Sequence, residues 1–313
     1  MAPTATIIIT AYNNESTVDR AIKSAMTQCN CNAEVIVVDD CSTDNSIELL
    51  TKYSDITVIR NSCNVGPYKS RLIGLNNTAS EYVTFLDADD WLAKDALSLC
   101  ITKACQHNAD IVQMTIKRRF SRFDLPIKYS SKYDINSALD AALYNDILFP
   151  VGCCGKLYRT QLLKSIKFPP INLRWGEDRI FNLFAYTGSS KITLAPEAIY
   201  NYRWGGNGTR TTINTINDYT HTTLYKLDWA TAANYSHLRK HILNEHIKLA
   251  SYWVRQVLNS SNSSQDDIIN ALKSSFSIVG LDETLCKDIY AKNARSCRRY
   301  ISNLVQIATK ILS

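Results

Sequence analysis

The sequence predicts an α/β fold built on a mostly parallel sheet flanked by helices, with a helical region following it. Two observations carry this. Near-continuous Val/Ile runs recur through the first 120 residues, and stretches of 10–15 residues with helical periodicity separate them. Apolar runs of that kind are strands covered on both faces, which parallel sheets require. A third observation is the loss of strand patterning beyond residue 217, where helical spacing takes over.

Taken in order, residues 5–10 (ATIIIT) read as a buried strand and 16–28 as a helix, with Ser16 as N-cap and Asp19 three residues on. Residues 34–38 (EVIVV) and 56–60 (ITVIR) read as strands around a helix at 44–53. A helix starts near Gly66, with Pro67 in its first turn, where a missing N–H costs nothing. Residues 81–86 (EYVTFL) and 110–116 (DIVQMTI) read as strands around a helix at 93–107. The stretch 117–175 is less regular, with helices read at 135–147 and 159–165. Residues 177–187 read as an amphipathic helix and 192–203 as one or two strands. The Gly/Asn/Thr-rich run 205–217 marks a boundary, giving a sheet domain at 1–215 and a helical region at 216–313, interrupted by a polar linker at 259–265.

The chain has 313 residues, 45% hydrophobic and 20% charged, which excludes collagen, long disorder and a disulfide-stapled miniprotein. No run approaches the roughly 18–20 apolar residues of a membrane span. The N-terminus lacks a basic n-region, so no signal peptide is expected and a cytoplasmic location is. The net charge of +6 permits phosphates or an anionic membrane surface as partners and gives no reason to expect nucleic acid. Ten cysteines without any C-x-x-C read as reduced, mostly buried thiols.

Each strand of the first half ends in polar residues: Thr10-Ala11-Tyr12-Asn13, Asp39-Asp40, Asn61 followed by Asn64, and Asp87-Ala88-Asp89-Asp90. In a parallel sheet these ends share one edge, where ligands bind. Several carboxylates there, with no Lys or Arg cluster beside them in the sequence, repel one another, and a divalent cation at a diphosphate relieves that. Asp and Asn also make turns and helix caps, and Asp90 ahead of a helix reads as a cap.

The blocks TIIITAYNNESTVDRAIKSAMTQ, EVIVVDDCSTDNS, NVGPYKSRLIGL, EYVTFLDADDW and WGEDRIF resemble family 2 glycosyltransferases of the GT-A fold, over about residues 4–205. The resemblance implies an inverting, Mn²⁺- or Mg²⁺-dependent transfer of sugar from a nucleoside diphosphate donor, a UDP-sugar, to a hydroxyl of a glycan or lipid-linked glycan in surface polysaccharide synthesis. It implies that Asp87-Ala88-Asp89 holds the metal and the donor ribose and diphosphate. Thr10, Tyr12 and Asn13 then lie under the base and ribose, Asp39 or Asp40 reads uracil, and Asn64 and Arg71 flank the base. Glu177-Asp178 is the acidic pair whose Asp acts as base, with Glu177 orienting the site. The sequence departs from the family at Thr10, Cys41 and Leu72, where Pro, Gly and Asn are usual. The chemistry asks for the same groups: electrostatic stabilisation of the departing diphosphate and a carboxylate to take the acceptor proton.

Other classes stay open. A metal-dependent nucleotidyltransferase or phosphohydrolase would use the same crevice, although no Gly-rich phosphate loop is present. A non-catalytic sugar-nucleotide-binding subunit is the third reading. Lys156 reads equally as a family residue or a surface lysine, His221 as a surface histidine, and His237, His241 and His246 as an exposed helix face. Arg203 and Arg210 flank the Gly-rich run, within reach of phosphates or as part of a basic loop. Residues 286–313 carry six basic residues against one acid at amphipathic helical spacing. Such a helix either docks on the protein with a solvated basic face, the preferred reading, or makes a peripheral contact with an anionic membrane.

Overall fold

The computed structural model describes residues 4–120, 124–126, 152–171, 173, 175–204, 212–233, 239, 242–243, 245–247 and 265–281. The helix expected at 135–147, the linker at 259–265 apart from Gln265, and the basic segment 286–313 lie outside the described residues, as do Cys286, Cys297, Arg210, His237 and His241.

The chain divides into two compact units, one of 1–172 with 181–206, the other of 173–180 with 207–313. The first unit opens with β1 (Thr4–Ala11), α1 (Val18–Met26), β2 (Asn32–Asp39), α2 (Ser46–Leu50), β3 (Thr57–Arg60), α3 (Pro67–Asn76) and β4 (Tyr82–Asp87). It continues with β5 (Trp91–Leu92), α4 (Ala96–His107), β6 (Ile111–Arg119), β7 (Asp124–Pro126), β8 (Lys156–Arg159), α5 (Thr160–Ser165), α6 (Glu177–Gly188) and β9 (Ile192–Arg203). The second unit contains the first turn of α6 together with α7 (Ile213–Ala232) and α8 (Gln265–Ile278).

Among the described residues, nine strands form one sheet in the order β3-β2-β1-β4-β8-β6-β9-β5, with β7 on β6. The first four are parallel, as the Val/Ile runs require. The second half is mixed: β8 runs antiparallel to β4 and β6, while β6 and β9 are parallel. The sheet is nonetheless mostly parallel as expected: β1 to β4, β6 and β9 run one way, and β8, β5 and β7 run against them. The reversal follows from β8, which enters between β4 and β6 from a point some seventy residues further along the chain, and a strand's direction there depends on the path and not on its own four residues.

Each helix shows why it sits where it does. The buried face of α1 is Val18, Ala21, Ile22 and Ala25, a one-stripe helical spacing. Its N-cap is Thr17, not Ser16, and no side chain caps it. α3 begins at Gly66 in a left-handed conformation, with Pro67 following. Its Gly74 packs so closely on β1 that an added Cβ would collide with Ile8. Ile7, Ile8, Ile9, Val37, Val38, Val83, Phe85 and Leu86 form the sheet core at 0% exposure, covered on both faces. Phe181 of α6 meets Phe85 edge-on at 5.4 Å and stacks on Phe168 at 4.7 Å. Of the eight described cysteines three are buried, so the thiols are not mostly buried as expected.

Two buried polar residues overturn sequence readings. Lys156 is fully buried, its ammonium donating to the Gly152 carbonyl, and is no surface lysine. His246 is 1% exposed and no part of an exposed face. In the second unit, Nδ1 of His246 lies 2.8 Å from Thr223 Oγ1, Nε2 lies 3.0 Å from Ser275 Oγ, and Ser275 Oγ lies 2.6 Å from Thr220 Oγ1. Thr223 Oγ1 donates to the Tyr219 carbonyl at 3.1 Å and Thr220 Oγ1 to the Ile216 carbonyl at 2.7 Å, so the ring and hydroxyls form one connected buried chain in which both imidazole nitrogens have a hydroxyl partner. Among the described residues no helix is long and apolar enough to cross a membrane.

Burial pushes the His246 imidazole down to about 4. The unfolded chain therefore takes up a proton below its ordinary 6.5 while the folded chain does not. Stability is complete above that value and is lost as pH falls from 6.5 toward 4, by on the order of 3 kcal/mol. Denaturation midpoints between pH 7.5 and 4.5 are expected to show this acid limb, and His246→Gln to flatten it.

Candidate active site

The parallel register sets the site. Ala11 pairs with Asp39 and Thr10 with Asp87, so the three strand ends lie side by side on the carboxyl edge of the sheet. The loop after β1 is laced to the loop after β2. Asn13, at φ 53°, donates its backbone N–H to Ser42 Oγ at 3.0 Å and accepts from Thr43 N at 2.8 Å. Asn14 N donates to Ser46 Oγ at 2.9 Å. Tyr12 is exposed at this edge, and Ala88 is buried with its N–H on the Thr10 carbonyl at 3.2 Å.

Asp39 and Asp40, adjacent in sequence, have different tasks. Asp40 is spent on the fold: Oδ1 accepts from Asn61 Nδ2 and Val65 N, and Oδ2 from Gly66 N, all at 2.8 Å. It shapes the turn that launches α3. Asp39 is fully buried; Oδ2 accepts from Ser42 N at 3.2 Å and faces Arg60 Nε at 3.6 Å, while Oδ1 has no hydrogen-bond partner. A buried carboxylate oxygen without a donor is costly unless a ligand supplies one. Asn64 is exposed beside this turn.

The acids after β4 also diverge. Asp87 is half-exposed, and its Oδ1 accepts from the buried guanidinium of Arg71 at 2.8 Å. Asp89 gives the fold no anchor through its side chain; its carbonyl accepts from Arg20 at 2.6 Å, and Arg20 lies 3.7 Å over the Trp91 ring. Arg71, named from the family resemblance, and Arg20, which the sequence reading did not name, thus bring cations from helices to acids that have no Lys or Arg cluster beside them in the sequence. Desolvation, then the neighbouring Asp87, pushes the Asp89 carboxyl up to about 6. Asp90 is not a helix cap. It is buried, its Oδ2 taking the Tyr200 hydroxyl and its Oδ1 the Arg203 N–H at 2.7 Å, and burial followed by Asp87 and Asp89 raises it to about 8. Tyr200 also receives the Asp87 N–H at 3.3 Å, and its own hydroxyl is pushed well above the usual range by burial. Tyr200 and Arg20 were missed in the sequence, which offers no local signal for either.

Glu177 and Asp178 open α6, Glu177 buried and Asp178 half-buried, where two acids complement the N-terminal end of the helix dipole. This turn belongs to the second unit. Arg203 spends its N–H on Asp90, and His221 is exposed with Nδ1 2.9 Å from the Asn217 carbonyl.

Among the described residues no three His, Cys, Asp or Glu side chains group as a ready-made metal cage. An octahedral divalent ion needs none, since it takes one or two carboxylates and completes its shell with phosphate oxygens and water. The oxygen donors Asp87 and Asp89, crowded against each other at the edge, fit such an ion.

The family model for glycosyl transferase family 2 matches residues 6–167, more than half of the chain. The chain belongs to this family. Glycosyltransferase GlyA of Streptococcus pneumoniae is 31% identical over 213 residues, covering 63% of this chain and 30% of its own length. Poly(ribitol-phosphate) beta-N-acetylglucosaminyltransferase TarS of Staphylococcus aureus is 29% identical over 210 residues, covering 63% and 35%. The matched region thus spans about a third of these curated relatives. The crystal structure of Staphylococcus aureus TarS 1-349 in complex with UDP-GlcNAc superposes with a TM-score of 0.72 at 23% identity, over 98% of this chain and 90% of that one, which establishes the GT-A fold.

Cys41, where the family resemblance leads one to expect Gly, adopts φ 65°, the left-handed region that glycine enters freely. Cys41→Gly is expected to stabilise the protein by about 1 kcal/mol, read from the urea midpoint at unchanged slope.

Proposed function

We propose that this family 2 enzyme transfers a sugar from a UDP-linked donor to a hydroxyl of a glycan acceptor, by one displacement with inversion, in surface polysaccharide or glycolipid assembly. The observation that carries the donor is the buried Asp39 Oδ1, without a partner on the edge where β1, β2 and β4 end. It suits a ring N–H such as that of uracil, while Asp40 beside it is fully used. The UDP-GlcNAc bound to the TarS neighbour, and the poly(ribitol-phosphate) and succinoglycan named for the relatives, support the same class.

In this reading Thr10, Tyr12 and Asn13 underlie the nucleoside, and Asn64 borders the base. Arg71 fixes Asp87 in direction, and Asp87 and Asp89, with the Ala88 backbone between them, face the ribose and diphosphate. Mn²⁺ or Mg²⁺ would be held by Asp89 with Asp87, and when bound it supplies electrostatic stabilisation of the charge gathering on the leaving diphosphate. Asp178 takes the proton from the acceptor hydroxyl, and Glu177 orients the site. With a single base and no second protein nucleophile, the anomeric carbon inverts.

A thermal-shift series of UDP-, GDP-, CMP- and dTDP-sugars, with and without Mn²⁺, is expected to give Mn²⁺-dependent stabilisation by a UDP-sugar alone. Asp39→Asn is expected to weaken UDP binding about tenfold or more, as loss of a charged acceptor should. Asp178→Asn should keep donor affinity and lose transfer; full turnover in that variant overturns the assignment of the base.

A further inference from the structure

The first turn of α6 carries the Glu177–Asp178 pair, and segment 173–180 groups with the helical second unit while the rest of α6 belongs to the sheet unit. What fixes that turn is therefore found among the helices of the second unit. Gly176, at φ 86°, sits so tightly on α7 that any Cβ would collide with Thr222, whose hydroxyl lies 3.4 Å from the Trp175 carbonyl. Arg179 follows Asp178 directly. Its NH1 donates to Glu245 Oε1 at 2.6 Å, and its guanidinium lies 5.7 Å over the Tyr219 ring. Glu245 is itself gripped by Lys226 of α7, whose Nζ donates to Oε1 at 3.0 Å and to Oε2 at 2.8 Å.

Two physical arguments make this network more than a surface ion pair. The side chains of Arg179, Glu245 and Lys226 are only 15%, 17% and 10% exposed, so solvent screens them little. A cation in the first turn of a helix also opposes the helix dipole, so Arg179 needs an anion to be held there. Removing the Glu245 carboxylate would take away the anion that Arg179 and Lys226 share.

We infer that Glu245, acting through Arg179, is a positioning residue for Asp178. It pins the first turn of α6 to the helical unit, so that the base is presented in one orientation, and Lys226 keeps the Glu245 carboxylate in place. This inference rests on the reading of Asp178 as the base. It assigns to the C-terminal helices a share in catalysis that the matched family region, residues 6–167, does not contain.

The test uses the full chain and the UDP-sugar chosen by thermal shift, with UDP release as the readout, and compares Glu245→Gln, Glu245→Asp, Arg179→Lys and Asp178→Asn. Glu245→Gln is expected to lower kcat at least tenfold with the donor KM within twofold of wild type. Glu245→Asp, which keeps the charge, should recover most of the loss. Arg179→Lys, which retains a cation but shortens its reach, should repeat the kcat loss at unchanged KM should Glu245→Gln fold poorly. Wild-type kcat in both Glu245→Gln and Arg179→Lys, with Asp178→Asn inactive, overturns the positioning role alone. Parallel loss of kcat, donor affinity and melting temperature in both variants also overturns it, in favour of general support of the fold. Full turnover in Asp178→Asn overturns the underlying assignment of the base instead.

Discussion

Two buried carboxylates, Asp40 and Asp90, hold the carboxyl edge of the sheet in shape. Each uses its oxygens on donors from loops or strands far along the chain: Asp40 on Asn61, Val65 and Gly66, Asp90 on Tyr200 and Arg203. Buried carboxylates are tolerable only when satisfied in this way, and once satisfied they lock the backbone that satisfies them. Asp40 ties β2 to the start of α3; Asp90 ties the end of β4 to the end of β9. The crevice between those elements inherits its outline from these two residues.

With those anchors in place, the remaining acids of this edge are less fully engaged by the fold. Asp39 keeps one buried oxygen without a partner, Asp87 is aimed by Arg71, and Asp89 is crowded and desolvated. Neighbouring residues of one chemical type thus divide into those that anchor the fold and those that the proposed function assigns to the donor. The division is set by whether backbone N–H groups converge on the carboxylate, not by the residue itself. A carboxylate with a structural task recurs in the second unit, where Glu245 is engaged by two cations from different helices.

Much of the first half was legible because its signals are local. Val/Ile runs, the Gly66-Pro67 helix start and the strand-end acids all lie within a few residues of one another, and strand ends in a parallel sheet meet on one edge whatever the loops do. Five spaced motif blocks extended that reading to the family. The misreadings came where a side chain's partner is distant. Lys156 looks like a surface residue until the Gly152 carbonyl closes over it, His246 until two hydroxyls from other helices reach its ring. Asp90 looks like a cap until β9 arrives.

By itself the sequence determined the parallel half of the sheet, the edge on which polar residues gather and the family to which the motifs belong. Each of these follows from periodicity or spacing along a short stretch of chain. The tertiary structure alone decided the reversed direction of β8, which of Asp39 and Asp40 keeps an oxygen without a partner, and the presence of Arg20 at the acidic edge. It also placed the turn bearing Asp178 with the helical unit. Those outcomes depend on contacts between residues tens to more than a hundred positions apart, where burial and hydrogen-bond satisfaction, and not local pattern, select the partner.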